Sequence, residues 1–199
     1  MTIPESPAWW IGAVAAVLAL AAAGTMLLRR HRRRARRRAL LARLERIAVE
    51  AVHRVQVPDG MGGTIHVDHL LLTPRGVLIL DTRRVPGLIF GGDQMNEWTV
   101  MARGTRYTFD NPQPALYDRI AAVKAIVGEV PVEGLVVFSN VGRFAKGVPK
   151  CVTMLDGLDL ECAASEPAGE QSAQFAGYRA AWSTLVAQLR QSPHDITNL

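Results

Sequence analysis

The sequence predicts an α/β or α+β domain with a mixed sheet, preceded by one apolar helix. Three observations predict this class. Helical spacing follows an arginine block, short apolar runs then alternate with turn residues, and two further helical stretches enclose buried strands. The two cysteines, Cys151 and Cys162, have neither metal-ligand spacing nor a disulfide framework, which is typical of idle thiols in a reducing compartment.

The apolar segment near the N-terminus has the length of a membrane span. Residues 8–28 carry no charge and would be about 30 Å long as a helix. Trp9 and Trp10 lie at one end, and arginines follow the other. A cleaved signal peptide has its positive charge before the apolar stretch, whereas only Glu5 precedes this one. We expect residues 8–28 to be a single-pass anchor in a bacterial-type plasma membrane, with residues 1–7 outside and the domain that follows the anchor in the cytoplasm.

The segment 29–38 is strongly basic and has two open interpretations. It holds eight arginines, so the net charge of +5 leaves −3 for the rest of the chain. Beside a membrane, such a block sets the topology and binds anionic lipid headgroups. Clustered arginines also neutralise nucleic-acid phosphates, although no aromatic residues interleave for base stacking. The candidate lipid-binding or nucleic-acid-binding residues are Arg29, Arg30, Arg32, Arg33, Arg34, Arg36, Arg37 and Arg38.

A helix is expected over residues 39–55, ended by Pro58-Asp59-Gly60. Glu45 falls at the border of its apolar stripe, so it is the glutamate of this helix best placed to face the domain. The residues of that stripe are Leu41, Leu44, Ala48, Val52 and Val55.

The remaining elements follow in order. We expect a hairpin formed by 64–73 and 76–83, a short strand at 87–92, and a second hairpin formed by 97–101 and 105–109. A helix over 111–129, with a stripe of Leu116, Ile120, Val123 and Val127, leads to strands at 132–139 and 150–155. A loop at 156–170 precedes a last helix at about 172–191. Its spaced core residues are Phe175, Tyr178, Trp182, Leu185, Val186 and Leu189.

The first hairpin brings two carboxylates together. If its turn centres between Pro74 and Arg75, the numbers of opposed residues sum to 149, so Asp68 faces Asp81. Arg83 projects from the same face two residues further on, as does His66. Two carboxylates at this spacing suit Mg²⁺, and a neighbouring cation could steady the charge on a scissile phosphate. The alternative is an Arg83 salt bridge that neutralises the pair without a metal.

The residues around this hairpin resemble the nuclease-related domain (NERD) family. The similarity covers about residues 44–140 and is carried by "GTIHVDHLLLTPRGVLILDTRRVPGLIFGG", followed by "EW" and "FDNP". It implies a restriction-endonuclease-like fold of the PD-(D/E)xK type, with a mixed sheet flanked by helices. It also implies phosphodiester cleavage that depends on Mg²⁺ or Mn²⁺, with DNA or RNA as the substrate. We therefore expect a nuclease-related domain at 39–160, followed by a loop and a C-terminal helix at 161–199.

The resemblance gives the site residues their roles. Asp68 would be the first metal carboxylate and Asp81 the second, and Glu45, in "LER", would be the helix glutamate of the family. Arg83 stands where the family has lysine, and Ala115 where a glutamine is often found, with Gln113 two positions earlier. Arginine can hold a phosphate but does not give up a proton. The sequence therefore leaves three functions open: a membrane-anchored nuclease, a catalytically silent nuclease-like binding module, and an envelope protein whose fold mediates assembly.

Overall fold

The computed structural model describes residues 9–159 and 173–191, which form a mixed α+β fold. The predicted segment 1–7, most of the predicted loop 156–170 and Cys162 lie outside these residues. The helices are α1 (Trp9–Ile47), α2 (Gln113–Val127) and α3 (Ala173–Gln188), with a short 3-10 helix at Leu155–Gly157. The strands are β1 (Glu50–Pro58), β2 (Thr64–Thr73), β3 (Gly76–Arg83), β4 (Gly87–Phe90), β5 (Glu97–Ala102), β6 (Thr105–Asp110), β7 (Val132–Phe138), β8 (Gly142–Phe144), β9 (Val152–Met154) and β10 (Arg190–Gln191).

Two compact units divide the chain within α1, at residues 1–41 and 42–199. In the first unit α1 is continuous through the arginine block, and the large apolar side chains described between residues 14 and 28 are exposed. No helix formed by the described residues is both long and apolar enough to cross a membrane, so the predicted transmembrane helix at 8–28 is not supported.

The second unit contains two mixed sheets. The first has the strand order β10-β1-β2-β3-β7-β9, in which β1, β2 and β3 are antiparallel neighbours and β3, β7 and β9 run parallel. The second has the order β6-β5-β4-β8 and is antiparallel except for the pair β4 and β8. The last helix α3 buries Phe175, Tyr178, Trp182 and Leu185, four of the six predicted core residues, whereas Val186 is exposed.

The helix α2 covers one face of the first sheet. Leu116, Val123 and Val127 of the predicted stripe are buried, and Ile120 packs against the same core. A Cβ at Gly134 of β7 would come within 2.8–3.0 Å of the Leu116 and Ile120 side chains, so glycine allows this close approach.

The predicted helix 39–55 is wrong in its second half. α1 ends at Ile47, and residues 50–58 form β1, whose Val55 and Val57 are buried against β2. The spacing of Val52 and Val55 fits a helix, but Arg54 adopts a left-handed conformation, with φ of 56°, that interrupts the strand alternation. Asp59 accepts hydrogen bonds from the backbone of Met61 and Gly63, so the segment expected to end a helix turns β1 into β2.

Candidate functional site

The hairpin of β2 and β3 has the register that the sequence predicts. Thr73 pairs with Gly76, and the ladder continues to His69 opposite Leu80. Gly76 has φ of +127°, and a Cβ there would meet the carbonyl of Pro131, so only glycine suits this turn. The pairing stops before Asp68 and Asp81, so both carboxylates lie where the two strands separate.

The Asp68 side chain joins β2 to β3 at the point where their backbone pairing has stopped. Its Oδ2 accepts hydrogen bonds of 2.8 Å from both the backbone N and the Oγ1 of Thr82. Its Oδ1 lies 3.0 Å from Nε2 of His66. Although burial opposes ionisation, these hydrogen bonds, together with the nearby His69, leave the pKa of Asp68 below its ordinary value. Asp68 is therefore held as a carboxylate.

Asp81 is almost fully buried and lies between two arginines. Its Oδ2 accepts a 2.9 Å hydrogen bond from Nη2 of Arg83 and lies 3.7 Å from Nη1 of Arg119. Burial nevertheless raises the pKa of Asp81, and the adjacent Asp68 carboxyl raises it further, against the lowering effect of the two arginines. The two carboxyl groups are thus close neighbours with opposite pKa directions, the pattern expected when one of the pair ionises first.

Arg119 also contacts Asp81, although it is not among the site residues predicted from the sequence. This residue lies on α2, donates from Nε to the backbone carbonyl of His66 at 2.7 Å, and donates from Nη1 to the carbonyl of Ala115. Ala115 is the position of the expected family glutamine, and Arg119 lies one helical turn later on the same face. Helical spacing from Ala115 was the signal that could have found it.

Arg54 belongs to the segment 39–55 that is expected to be helical, but the structure has it in a strand. It lies in β1 between the registered pairs His53–His69 and Val55–Val67, and therefore opposite Asp68. A left-handed arginine within a strand is sparsely populated, and such backbone strain often marks functional sites.

The remaining predicted site residues lie on α1. Glu45 is exposed on α1, and within the described residues no hydrogen bond or ion pair joins it to the hairpin. In the arginine block, the described side chains are exposed, namely Arg29, Arg30, Arg32, Arg34 and Arg38.

Gln113 and Asn111 serve the fold rather than the acid pair. Gln113 is buried, and its Nε2 donates to Oδ1 of Asp93 and to the carbonyl of Lys150, both at 2.8 Å. The Nδ2 of Asn111 donates to Oε1 of Gln113 and to the carbonyl of Met95. This network joins the β4–β5 loop to the start of α2 and the segment before β9.

An acid pair at the open end of a hairpin, flanked by arginines and covered by a helix, defines a polar site within a mixed α+β domain. The chain belongs to the nuclease-related domain (NERD) family, whose model matches residues 31–139. That range contains Glu45, Asp68, Asp81 and Arg83. The chain is also similar to an uncharacterized protein of Bacillus anthracis, with 26% identity over 88 residues.

That alignment covers 44% of this chain and 42% of the relative, so the chain matches less than half the relative's length. No solved structure matches the chain.

Proposed function

We propose that this protein is a metal-dependent nuclease that hydrolyses phosphodiester bonds at Asp68 and Asp81. One observation carries the proposal, namely that Asp68 and Asp81 directly follow the last paired residues, His69 and Leu80, at the point where β2 and β3 separate. Membership of the nuclease-related family supports it. The restriction-endonuclease-like, PD-(D/E)xK assignment is part of the same proposal.

The donor chemistry of this pair fits Mg²⁺ or Mn²⁺. Carboxylate oxygens are the ligands that these cations prefer, and Mg²⁺ needs only one or two carboxylates besides water and substrate oxygens. Burial and the Asp68 charge both disfavour ionised Asp81, and a divalent cation would offset that cost. Among residues 9–159 and 173–191, no cluster of three or more His, Cys, Asp or Glu suited to a metal is found. The bound ion would polarise the phosphate and lower the pKa of a water molecule.

The arginines would hold the phosphate. Arg83 uses Nη2 for Asp81, whereas its Nε is buried and makes no hydrogen bond among the described residues. A phosphate oxygen is a suitable acceptor for such a donor, because guanidinium groups bind phosphate with two parallel hydrogen bonds. Arg119 is anchored by two backbone carbonyls and would keep the Asp81 carboxylate oriented.

The test is cleavage by the full chain, purified in non-ionic detergent, with supercoiled plasmid and labelled RNA as substrates. We expect cleavage with Mn²⁺ or Mg²⁺ and none with EDTA. Asp68→Asn and Asp81→Asn should each lower the rate at least 100-fold, which is about the effect of removing a key electrostatic group from an active site. The matched control is Asp118→Asn, an exposed carboxylate on α2 that should leave the rate unchanged. Equal rates in all four proteins would refute the proposal.

A catalytically silent binding module is the second candidate function. It is favoured by the two arginines at Asp81, at 2.9 and 3.7 Å, which balance the charges of the acid pair without a metal. Titration calorimetry of the full chain with Mn²⁺ separates the candidates. No heat of binding supports the silent module, whereas micromolar affinity that is lost in Asp68→Ala contradicts it.

We also propose that the N-terminal helix attaches the protein to a plasma membrane, with residues 42–199 on the cytoplasmic side. Exposed apolar residues such as Leu18 and Leu20, followed by exposed arginines, support this proposal. In a bacterial expression host the chain should stay with the membrane fraction after a carbonate wash. Replacing Leu18 and Leu20 with glutamate should release it, and retention of that variant would contradict the proposal.

A further inference from the structure

The outer face of the second sheet carries a row of four residues that crosses all of its strands. Met101 of β5 pairs with Leu88 of β4 on one side and with Arg106 of β6 on the other. Leu88 also pairs with Arg143 of β8. Directly paired residues project from the same face of a sheet. The row therefore has an arginine at each end and two apolar residues between them, in the order Arg143, Leu88, Met101 and Arg106.

Burial confirms that this face is open. The alternate residues Ile89 and Val100 are fully buried against the core, whereas Met101 is 52% exposed and Leu88 is partly exposed. Arg106 and Arg143 are exposed, and within the described part of the chain they make no hydrogen bond or ion pair. One row further along, Phe90 lies beside Thr99 on the same open face.

The charge of this region differs from that of the rest of the domain. Residues 84–110 and 139–150 contain six basic and three acidic residues, a net charge of +3, although the chain outside the arginine block carries −3. The acids Glu97 and Asp110 pair with each other at the opposite end of the same face. Asp93 is the third acid, and its Oδ1 accepts hydrogen bonds from Gln113 and from the backbone N of Lys150.

We infer that this row, Arg143, Leu88, Met101 and Arg106, is a binding platform for a single-stranded polynucleotide. The outermost strands lie about 14 Å apart, so the two arginines can neutralise phosphates on either side of an apolar surface. Arginines flanking an apolar and aromatic surface on which bases stack are the usual elements of single-strand binding. The choice of a polynucleotide over another polyanion rests on the proposed function, because a phosphodiester-cleaving site implies that ligand.

The strands of the platform follow the strands of the acid pair closely along the chain. The parallel strands β3 and β7 end at Arg83 and Phe138, and each continues within a few residues into β4 and β8, which again run parallel. The backbone N of Ser139 donates to the carbonyl of Arg83 at 2.9 Å, which ties the two strand ends together.

The experiment measures binding of a labelled 15-nucleotide oligo(dT) to the full chain in detergent by fluorescence anisotropy, with EDTA present. Binding is then independent of hydrolysis. Each phosphate contact on a single strand contributes about −0.7 to the slope of log K against log salt concentration, so losing two contacts should weaken binding about 25-fold at about 0.1 M salt. The double variant Arg106→Gln/Arg143→Gln should show this loss and a slope shallower by about 1.4. The control Lys124→Gln/Arg179→Gln, which removes two exposed charges from α2 and α3, should bind as the parent protein does.

A second measurement separates the platform from the arginine block of α1. Ultraviolet cross-linking with an oligonucleotide containing 5-iododeoxyuridine should give adducts in the peptides that contain Phe90 or Met101. Adducts confined to residues 29–38, or equal affinity in both double variants, would overturn the inference. The inference would also be overturned if Arg106→Gln/Arg143→Gln lost binding to phosphatidylserine vesicles but kept binding to the oligonucleotide. Platform binding without cleavage would contradict the proposed nuclease activity alone.

Discussion

Asp68 and Thr82 are joined by two hydrogen bonds of 2.8 Å, one to the backbone N and one to Oγ1, at the point where β2 and β3 stop pairing. The contact closes the separated end of the hairpin without a backbone ladder. It also favours the ionised form of Asp68, because a carboxylate accepts hydrogen bonds from both donors most strongly in that state. The same end of the hairpin therefore holds one stabilising carboxylate and one, Asp81, that burial destabilises.

Opposite effects on stability are expected when each acid is replaced. The pKa of Asp68 is lowered on folding, so its stabilisation is present above the unfolded pKa of about 3.9 and is lost as the pH falls. Asp68→Asn should therefore lower the free energy of unfolding at pH 7 by about 1.5–3 kcal/mol, with a smaller effect at acidic pH.

The pKa of Asp81 is raised on folding, so its ionisation costs stability at pH values above the unfolded pKa. Asp81→Asn removes that cost and keeps an acceptor for Arg83, and should raise the free energy of unfolding at pH 7 by about 0.5–2 kcal/mol. Urea unfolding in EDTA at pH 4 and pH 7 measures both effects. Changes of the same sign at pH 7 in the two variants would contradict the expectation that ionised Asp68 stabilises the fold and ionised Asp81 destabilises it.

Gln113 should be important for stability although it lies outside the candidate site. Its buried amide donates two hydrogen bonds of 2.8 Å and accepts one from Asn111, and Gln113→Ala would remove all three. We expect a loss of about 2–3 kcal/mol in the free energy of unfolding. Gln94→Ala, at an exposed position in the same loop that contains Asp93, is the control and should change it by less than about 0.5 kcal/mol. A small effect at Gln113 would mean that water replaces the side chain.

The two adjacent glycines after β4 should differ sharply in their tolerance of alanine. A Cβ at Gly91 would lie 2.6 Å from the buried ring of Trp98, whereas at Gly92 the nearest atom is Sδ of Met95 at 3.5 Å. Overpacking of this kind costs about 1–3 kcal/mol. Thermal unfolding should therefore show a lower midpoint for Gly91→Ala and an almost unchanged one for Gly92→Ala. Similar midpoints would indicate that the Trp98 ring moves freely.

The hairpin could be predicted from the sequence because its determinants are local. A two-residue turn at Pro74 and Arg75 fixes the register, and the register fixes which residues share a face. The same reasoning put Asp68 and Asp81 at one end. It could not show that the ladder stops there, because side-chain alternation does not reveal that Thr82 binds the Asp68 side chain and not the backbone of the opposite strand.

Long-range contacts limited the rest of the prediction. Arg119 reaches Asp81 only because α2 docks on the first sheet, and the apolar stripe of α2 identifies the buried face of the helix but not the strands that it covers. Val52 and Val55 satisfy helical spacing and so predict a helix, but pairing of β1 with β2 outweighs this local pattern. The left-handed conformation of Arg54 also interrupts the alternation of buried and exposed side chains that would have indicated a strand.

Arg83 decides between the two candidate functions, and two replacements test it. Lysine keeps the charge but loses the planar fork that binds Asp81, whereas methionine keeps a similar stem without charge. If Arg83 holds the scissile phosphate, Arg83→Lys should keep cleavage within about tenfold and Arg83→Met should lower it by about 100-fold or more. The same changes at exposed Arg84 are the control and should leave cleavage unchanged. If the parent protein is inactive and only Arg83→Lys cleaves, the chain is a nuclease silenced by its own arginine, and the second candidate holds. Unchanged cleavage in Arg83→Met would remove Arg83 from the site.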